Sequence, residues 1–187
     1  LIPKKNIAKV SGHPRFHLLK NNFSYLYDSD VEKITKKYGR FLLINTNFAR
    51  ANNIRGLENA RKNYIGRYKN IDTRINNDKI KIKIFISLIK KLSRLNFNIV
   101  IRPHPEERIF TYSEIFDSYP NVFVENKLSS IPWIIACQTL IHSDCTTAIE
   151  SLMLGKKSIS FIDKDLDSSV LTILPQKASF VFDKDTD

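Results

Sequence analysis

The sequence predicts an α/β fold, an open, doubly wound parallel sheet covered by helices, and three observations carry that prediction. From Gly39 onward, short apolar runs alternate with longer amphipathic ones, the pattern of strand, crossover helix and parallel strand. The run FNIVIR has an unbroken β-branched centre, as a central parallel strand buried on both faces requires. The resulting βαβαβα series lies between Gly39 and Ile162, and crossovers of a single hand then open it into a twisted sheet rather than a set of hairpins.

In chain order, FLLINT (Phe41 to Thr46) is the first strand, followed by the polar stretch NFARANNIRG and a helical region from Leu57 to Tyr68. Further on, Phe85, Leu88, Leu92 and Leu95 fall three and four apart, with Lys90, Lys91 and Arg94 on the other side, which predicts an amphipathic helix. Its first turns, in KIKIKIFISLIKKLSR, alternate Ile with Lys and fit a strand by period alone, so the start of this helix is open. Phe97 to Arg102 is the next strand, then a short helix near Tyr112 to Ser118 and a strand from Asn121 to Glu125. SSIPWIIAC is a helix with Pro132 in its first turn, where the missing N–H has no intrahelical partner to lose. Thr139 to His142 is a strand, DCTTAIESLMLG a helix ended by Gly155, and KSISFI a further strand. The first 38 residues differ: SGHPRFHLLKNNFSYLY mixes a Gly/Pro turn with aromatics, and DSDVEKITKKYG makes a charged helix. Residues 1–38 therefore read as a lead-in segment, and 39–187 as one domain.

Composition bounds the class. At 187 residues, 42% apolar and 26% charged, the chain has the make-up of an ordinary globular domain. No apolar run approaches the roughly 18 to 20 residues that span a bilayer, and no charged-then-apolar leader is present. The chain starts LIPKKN, without an initiator methionine, and stops in the acidic DKDTD, so a fragment of a longer protein is expected. Cys137 and Cys145 have no metal-ligand spacing; they read as small packing residues, and a reducing compartment fits best. The net charge of +11 suits nucleotides, polyanions or an anionic membrane surface. The lysines are scattered through helical segments, where the plain reading is a solvated face. No nucleic-acid module is present, and the aromatics do not interleave with the basic runs.

Ligands of an open parallel sheet bind beyond the carboxyl ends of its strands. Two polar clusters stand there: RPHPEE after FNIVIR, and HSDCTT after TLI. Pro103 and Pro105 hold Arg102 and His104 extended, so the imidazole is either a preorganised donor or simply part of a stiff surface turn. Arg102 suits a phosphate held bidentately or a loop carboxylate. Glu106 and Glu107 either orient His104 or are solvated. In HSDCTTAIESLMLG, Ser143, Thr146 and Thr147 stand at a helix start, where free N–H groups and the dipole favour an anion. Capping by Ser143 or Asp144, with Thr147 and Glu150 completing a capping box, explains the same residues. Glu150, one turn in, either reaches a ribose hydroxyl or is solvated. No GxGxxG, GxxxxGKS or GxSxG is present, and His142, Ser143 and Asp144 are too close in sequence to imply a catalytic triad.

The combination VSGHPRFHLL, FLLINTNF, RPHPEE, NVFVE, PWI and HSDCTTAIESLMLGKKSISF, from Val10 to Ile162, resembles the bacterial surface carbohydrate biosynthesis proteins, whose architecture is similar to GT-B glycosyltransferases. RPHP followed by HS-x-x-TTAIE-x-x-x-x-GK also looks like the nucleotide-binding half of sialyltransferase-like and Kdo-transferase-like enzymes and of the glycerophosphotransferases of teichoic acid synthesis. The resemblance implies a Rossmann-like C-terminal half of a GT-B architecture. His104 would contact the donor phosphate and assist departure of the nucleotide, and hydroxyls among Ser143, Thr146 and Thr147 would bind the same phosphate. SGHPRF resembles the junction between the halves.

The implied partners are a nucleotide-sugar donor, with a CMP-activated acidic sugar favoured, a glycan or lipid-linked acceptor, and an N-terminal domain that carries acceptor binding and the base. The isolated chain is expected to be inactive, or nearly so. Neither a metal nor another cofactor is expected, nor nucleic acid. A cytoplasmic location is expected, with peripheral docking on the inner membrane. A sugar-nucleotide 2-epimerase and a noncatalytic nucleotide-binding or scaffolding domain remain the alternatives.

Overall fold

A computed structural model describes residues 12–183. Val10 and Ser11 of the lead-in motif and the last four residues of the DKDTD tail lie outside them. A short helix α1 (Pro14–His17) and a 3-10 segment (Asn21–Tyr27) lead into α2 (Asp28–Tyr38) and β1 (Phe41–Asn45). Then come α3 (Leu57–Tyr64), α4 (Ile71–Leu92), β2 (Asn98–Arg102), α5 (Phe110–Phe116), β3 (Val122–Val124), α6 (Ser130–Ala136) and β4 (Thr139–His142). The chain closes with α7 (Thr147–Met153), β5 (Ser158–Ile162), a 3-10 turn (Ser168–Val170), α8 (Ile173–Lys177) and β6 (Phe180–Asp183).

The six strands form one sheet in the order β3-β2-β1-β4-β5-β6, every pair parallel. The predicted α/β, doubly wound class is the observed one, Rossmann-like in strand order. The chain winds outward from β1 through β2 to β3, then returns to lay β4 against the other side of β1, so the direction reverses between β1 and β4. At such a switch point the flanking crossovers leave opposite faces, and a crevice opens above the strand ends.

The period-2 alternation of the central strands divides the core. Ile44, Ile99, Ile101 and Ile141 pack with Phe85 and Ile89 of α4 and with Tyr112 and Phe116 of α5. Phe41, Leu43, Val100 and Leu140 pack with Trp133 and Ile134 of α6 and with Ile34 and Tyr38 of α2. Thus α2, which the sequence places in the lead-in segment, buries its apolar side against the sheet. The Schellman-type stop at Gly155 is seen: it takes φ 67°, a left-handed value that Gly adopts without a Cβ penalty.

The open question at KIKIKIFI resolves as helix. α4 runs for 22 residues from Ile71, because Ile71, Ile75, Asp78, Phe85 and Ile89, all buried, recur at helical spacings. α3 stops at Tyr64, short of the predicted Tyr68.

The solvated-face reading of the lysines is corrected at Lys81, which is only 2% exposed. Its ammonium lies 2.7 Å from the Asp144 carboxylate, which also accepts the N–H of Thr172. One turn earlier Asp78 takes a two-pronged bond from Arg50 (2.7 and 3.0 Å). The middle of α4 therefore staples the loop after β1, through Arg50, and the loop after β4, through Asp144. Burial works against the charge on Asp144, but Lys81 and the Thr172 N–H outweigh it and hold the carboxyl below its usual range. Removing one partner strands a buried charge, whereas neutralising both does not. Lys81→Met is thus expected to lower unfolding free energy by about 3 to 5 kcal/mol in urea titration. Adding Asp144→Asn to it should recover at least half of that loss.

Candidate functional site

The carboxyl ends of β1, β2 and β4 converge at the switch point. The loop after β2 is held from inside by Glu107, which is 2% exposed. Its Oε1 accepts from Thr46 Oγ1 (2.8 Å), the Phe48 N–H (3.0 Å) and the His104 N–H (3.2 Å). Its Oε2 accepts from Tyr112 Oη (2.8 Å) and Asn52 Nδ2 (3.4 Å). A buried carboxylate without a cation is tolerable only when its lone pairs are filled in this way. Burial and the adjacent Glu107 push the Tyr112 phenol far up, so it stays a donor. Of the two readings for the acid pair, Glu107 orients the backbone of His104. Glu106 instead accepts from the Tyr64 hydroxyl of α3, whose pKa is pushed up to about 12 by burial and by that carboxylate.

His104 Nδ1 accepts the Glu106 N–H at 3.2 Å. The neutral ring therefore carries its proton on Nε2, the remaining polar atom of a half-buried side chain that lines a cleft. Arg102, 8% exposed, donates from Nη2 to the Leu128 carbonyl at 2.5 Å, while its Nε is buried without a partner. The loop carboxylate that the sequence offered as its alternative partner is not there. Burial lowers the guanidinium pKa, opposed by Cys145, Glu150 and Glu125.

At the end of β4 the expected capping box does not form: α7 begins at Thr147 with Thr146 as N-cap, and no side chain caps it. Asp144 is held by Lys81. The Thr147 hydroxyl accepts from Asn45 Nδ2 and donates to Cys145 Sγ, each at 3.1 Å, tying β1 to α7. Glu150 is buried, accepting from Ser130 Oγ at 2.8 Å and paired with Arg15 of α1. Ser143 is 1% exposed, its Oγ buried without a partner. His142 is fully buried between Ser179 Oγ (2.8 Å) and the Cys145 N–H (3.4 Å), a splint under the turn.

The cleft at the switch point has a volume of about 400 Å³. Of the residues singled out in the sequence, Arg102, His104, Thr146 and Thr147 line it together. Ser143 and Glu150 lie behind its wall. Arg15, Asn47, Pro105, Cys145 and the segment from Leu128 to Ile131 complete the lining, and Asn45 is tied to it through Thr147. Asn45 and Asn47 carried a signal, since the first ends the strand at which the winding reverses and the second lies in the loop just beyond it. Arg15 carried none beyond its place in GHPRF. Among the described residues, no group of His, Cys, Asp or Glu is gathered as a metal site, and no helix is long and apolar enough to cross a membrane.

Neither a protein-family model nor a curated protein matches the chain. Among solved structures, it is similar to the E. coli heptosyltransferase WaaC with ADP, at 12% identity and TM-score 0.47, over 78% of this chain and 38% of that one. The UDP-GlcNAc 2-epimerase of Methanocaldococcus jannaschii, in complex with UDP-GlcNAc and UDP, matches at 12% identity and TM-score 0.46, over 85% and 40%. The UDP-GlcNAc 2-epimerase of Neisseria meningitidis, bound to UDP-GlcNAc, matches at 15% identity and TM-score 0.38, over 77% and 32%. The chain thus spans 40% or less of the length of each.

Two outcomes test this framework. Glu107→Leu, which leaves several buried donors unpaired, is expected to cost at least ~3 kcal/mol in urea unfolding, and Glu107→Gln less. The His142 pKa is lowered to about 4 by burial, so the unfolded chain takes up a proton near the ordinary value of 6.5 and the folded chain does not. Stability should fall as pH drops from 6.5 towards 4, by up to ~3 kcal/mol for this group. His142→Gln should remove that part of the acid destabilisation.

Proposed function

We propose that the chain is the donor-binding domain of a glycosyltransferase, and that the switch-point cleft holds the phosphate of a nucleotide-activated sugar. The observation that carries this reading is Arg102. A buried guanidinium without a carboxylate partner, bonded only to a carbonyl, stands in the same cleft as the Nε2 of His104 and the exposed hydroxyl-bearing Thr146. Burying an unpaired cation is costly, and an anionic ligand supplies the missing charge.

When the bond between sugar and phosphate breaks, negative charge grows on the departing phosphate oxygen. Donors already aimed there stabilise it without reorganising. His104 Nε2–H, held in its tautomer by the Glu106 N–H, and the guanidinium of Arg102 serve that role. The Thr146 hydroxyl positions the phosphate beside them. Thr147 Oγ1 is engaged with Asn45 and Cys145, so it acts first in shaping the floor.

The motif resemblance favours a CMP-linked acidic sugar as donor, and surface polysaccharide assembly as the setting. The acceptor, a glycan or a lipid-linked saccharide, and the base that activates it would belong to a second domain. Epimerisation calls for acid and base groups around the sugar. Among the described residues, the cleft's lining offers only His104 and the buried Cys145 in that capacity, the Glu150 carboxylate being bound to Ser130 and Arg15.

The test is calorimetric titration of the chain with CMP, CDP, UMP and UDP, beside Arg102→Met, His104→Ala and Thr146→Ala/Thr147→Ala. One nucleotide class should bind, and Arg102→Met should weaken it at least ~10-fold, as loss of a charge-assisted bond implies. Arg102→Met breaks no ion pair, so its unfolding midpoint should not fall, which separates lost binding from lost folding. Binding unaffected by all three variants, or no binding, would sink the reading.

A further inference from the structure

We infer that Arg15, on the segment that precedes the sheet, is a second anion-binding guanidinium of the cleft, so that the lead-in segment is part of the ligand site. This rests on the phosphate-cleft reading above and extends it to a residue outside the strand-end motifs.

Arg15 is not a packing residue: α1 buries none of its side chains, and the Arg15 side chain is 53% exposed. Its guanidinium nevertheless reaches Ser130 Oγ at 3.2 Å and the Glu150 carboxylate, at the starts of α6 and α7. Both contacts run through Nη2, which leaves the Nε and Nη1 donors of the fork for another partner. The side chain lines the same cleft as Arg102, His104 and Thr146.

The two guanidinium groups border one loop. Arg102 holds the Leu128 carbonyl and Arg15 the Ser130 hydroxyl, two residues on. They are close enough that Arg15 is among the charges lowering the Arg102 pKa, after burial. Among the described residues, the cleft's lining carries these two guanidinium groups and no carboxylate, Glu150 and Glu125 acting on Arg102 from outside it. A phosphate touching both forks would add the missing negative charge while relieving their repulsion. Glu150, buried and fixed by Ser130, acts as the positioning residue that aims Arg15 inward.

A plainer role competes with this one: Arg15 could serve only to neutralise Glu150, in which case its loss would weaken anion binding through the uncompensated carboxylate. Arg15→Ala, Arg15→Lys, Glu150→Gln and the double variant Arg15→Ala/Glu150→Gln separate the two. The probes are CMP and CDP, with Lys177→Ala as a control for loss of one distant positive charge. Arg15→Ala should weaken nucleotide binding at least ~10-fold. Because it leaves the buried Glu150 carboxylate unpaired, it should also lower the unfolding midpoint, so the comparison free of that cost is the double variant, in which both charges are gone. Arg15→Lys should restore part of the loss and Lys177→Ala should match the parent. The double variant should stay as weak as Arg15→Ala. Recovery of parental affinity in the double variant would reduce Arg15 to a counter-ion and overturn the inference, as would parental affinity in Arg15→Ala. Absence of nucleotide binding by the parent chain would remove the phosphate-cleft reading and this inference together.

Discussion

Glu107 shows what the rest of the site depends on, because its carboxylate is buried with no cation beside it and is held entirely by hydrogen bonds. Those bonds come from three elements: the loop after β1, more than fifty positions away, through Thr46, Phe48 and Asn52, and, close by in sequence, the loop after β2 through the His104 N–H and α5 through Tyr112. A carboxylate so placed has no alternative partners to exchange with, so every donor is fixed relative to the others. The imidazole of His104 inherits that rigidity, reinforced by the prolines on either side. Water cannot easily compete in a site where the acceptor is already saturated.

On the other side of the switch point the same problem is solved with ion pairs. Lys81 on α4 holds Asp144, and Arg50 on the β1 loop holds Asp78. These pairs join the long helix to the loops on which the cleft is built, and the neutral, buried His142 supports the turn beneath. Against this framework of satisfied charges, Arg102 stands out as the buried cation that no carboxylate of the described residues meets. That contrast is the physical basis of the proposed anion site: elsewhere the fold meets its buried charges with partners of its own, and under the proposal a ligand takes that place at the cleft.

Much of the fold was legible because it rests on local period and stiffness. β4 lies where Thr139 to His142 read as strand, and Pro132 lies in the first turn of α6, as missing donors dictate. α4 was ambiguous over Ile80 to Ile86, since alternation within a wide apolar face mimics a strand. It resolved only because Ile71, Ile75, Phe85 and Ile89 share one buried stripe. α8 and β6, beyond the last predicted strand, were not read at all. Phe180 to Phe182 form an edge strand whose side chains stay exposed, and so lack the alternation that marks a half-buried one.

By itself, the sequence determined the class of fold, the order of its central elements and the placing of RPHP and HSDCTT at strand ends, all of which follow from residues within a few positions of one another. Only the tertiary structure decided that β4 returns to lie against β1, and hence that Arg102, His104, Thr146 and Thr147 share one cleft while Ser143 falls behind its wall. It alone decided that Lys81, Glu107 and Glu150 are buried and that Arg15 reaches the site. The physical reason is common to all of these: whether a charged side chain is solvated or interior depends on partners many positions away, and nothing in its own neighbourhood along the chain records them.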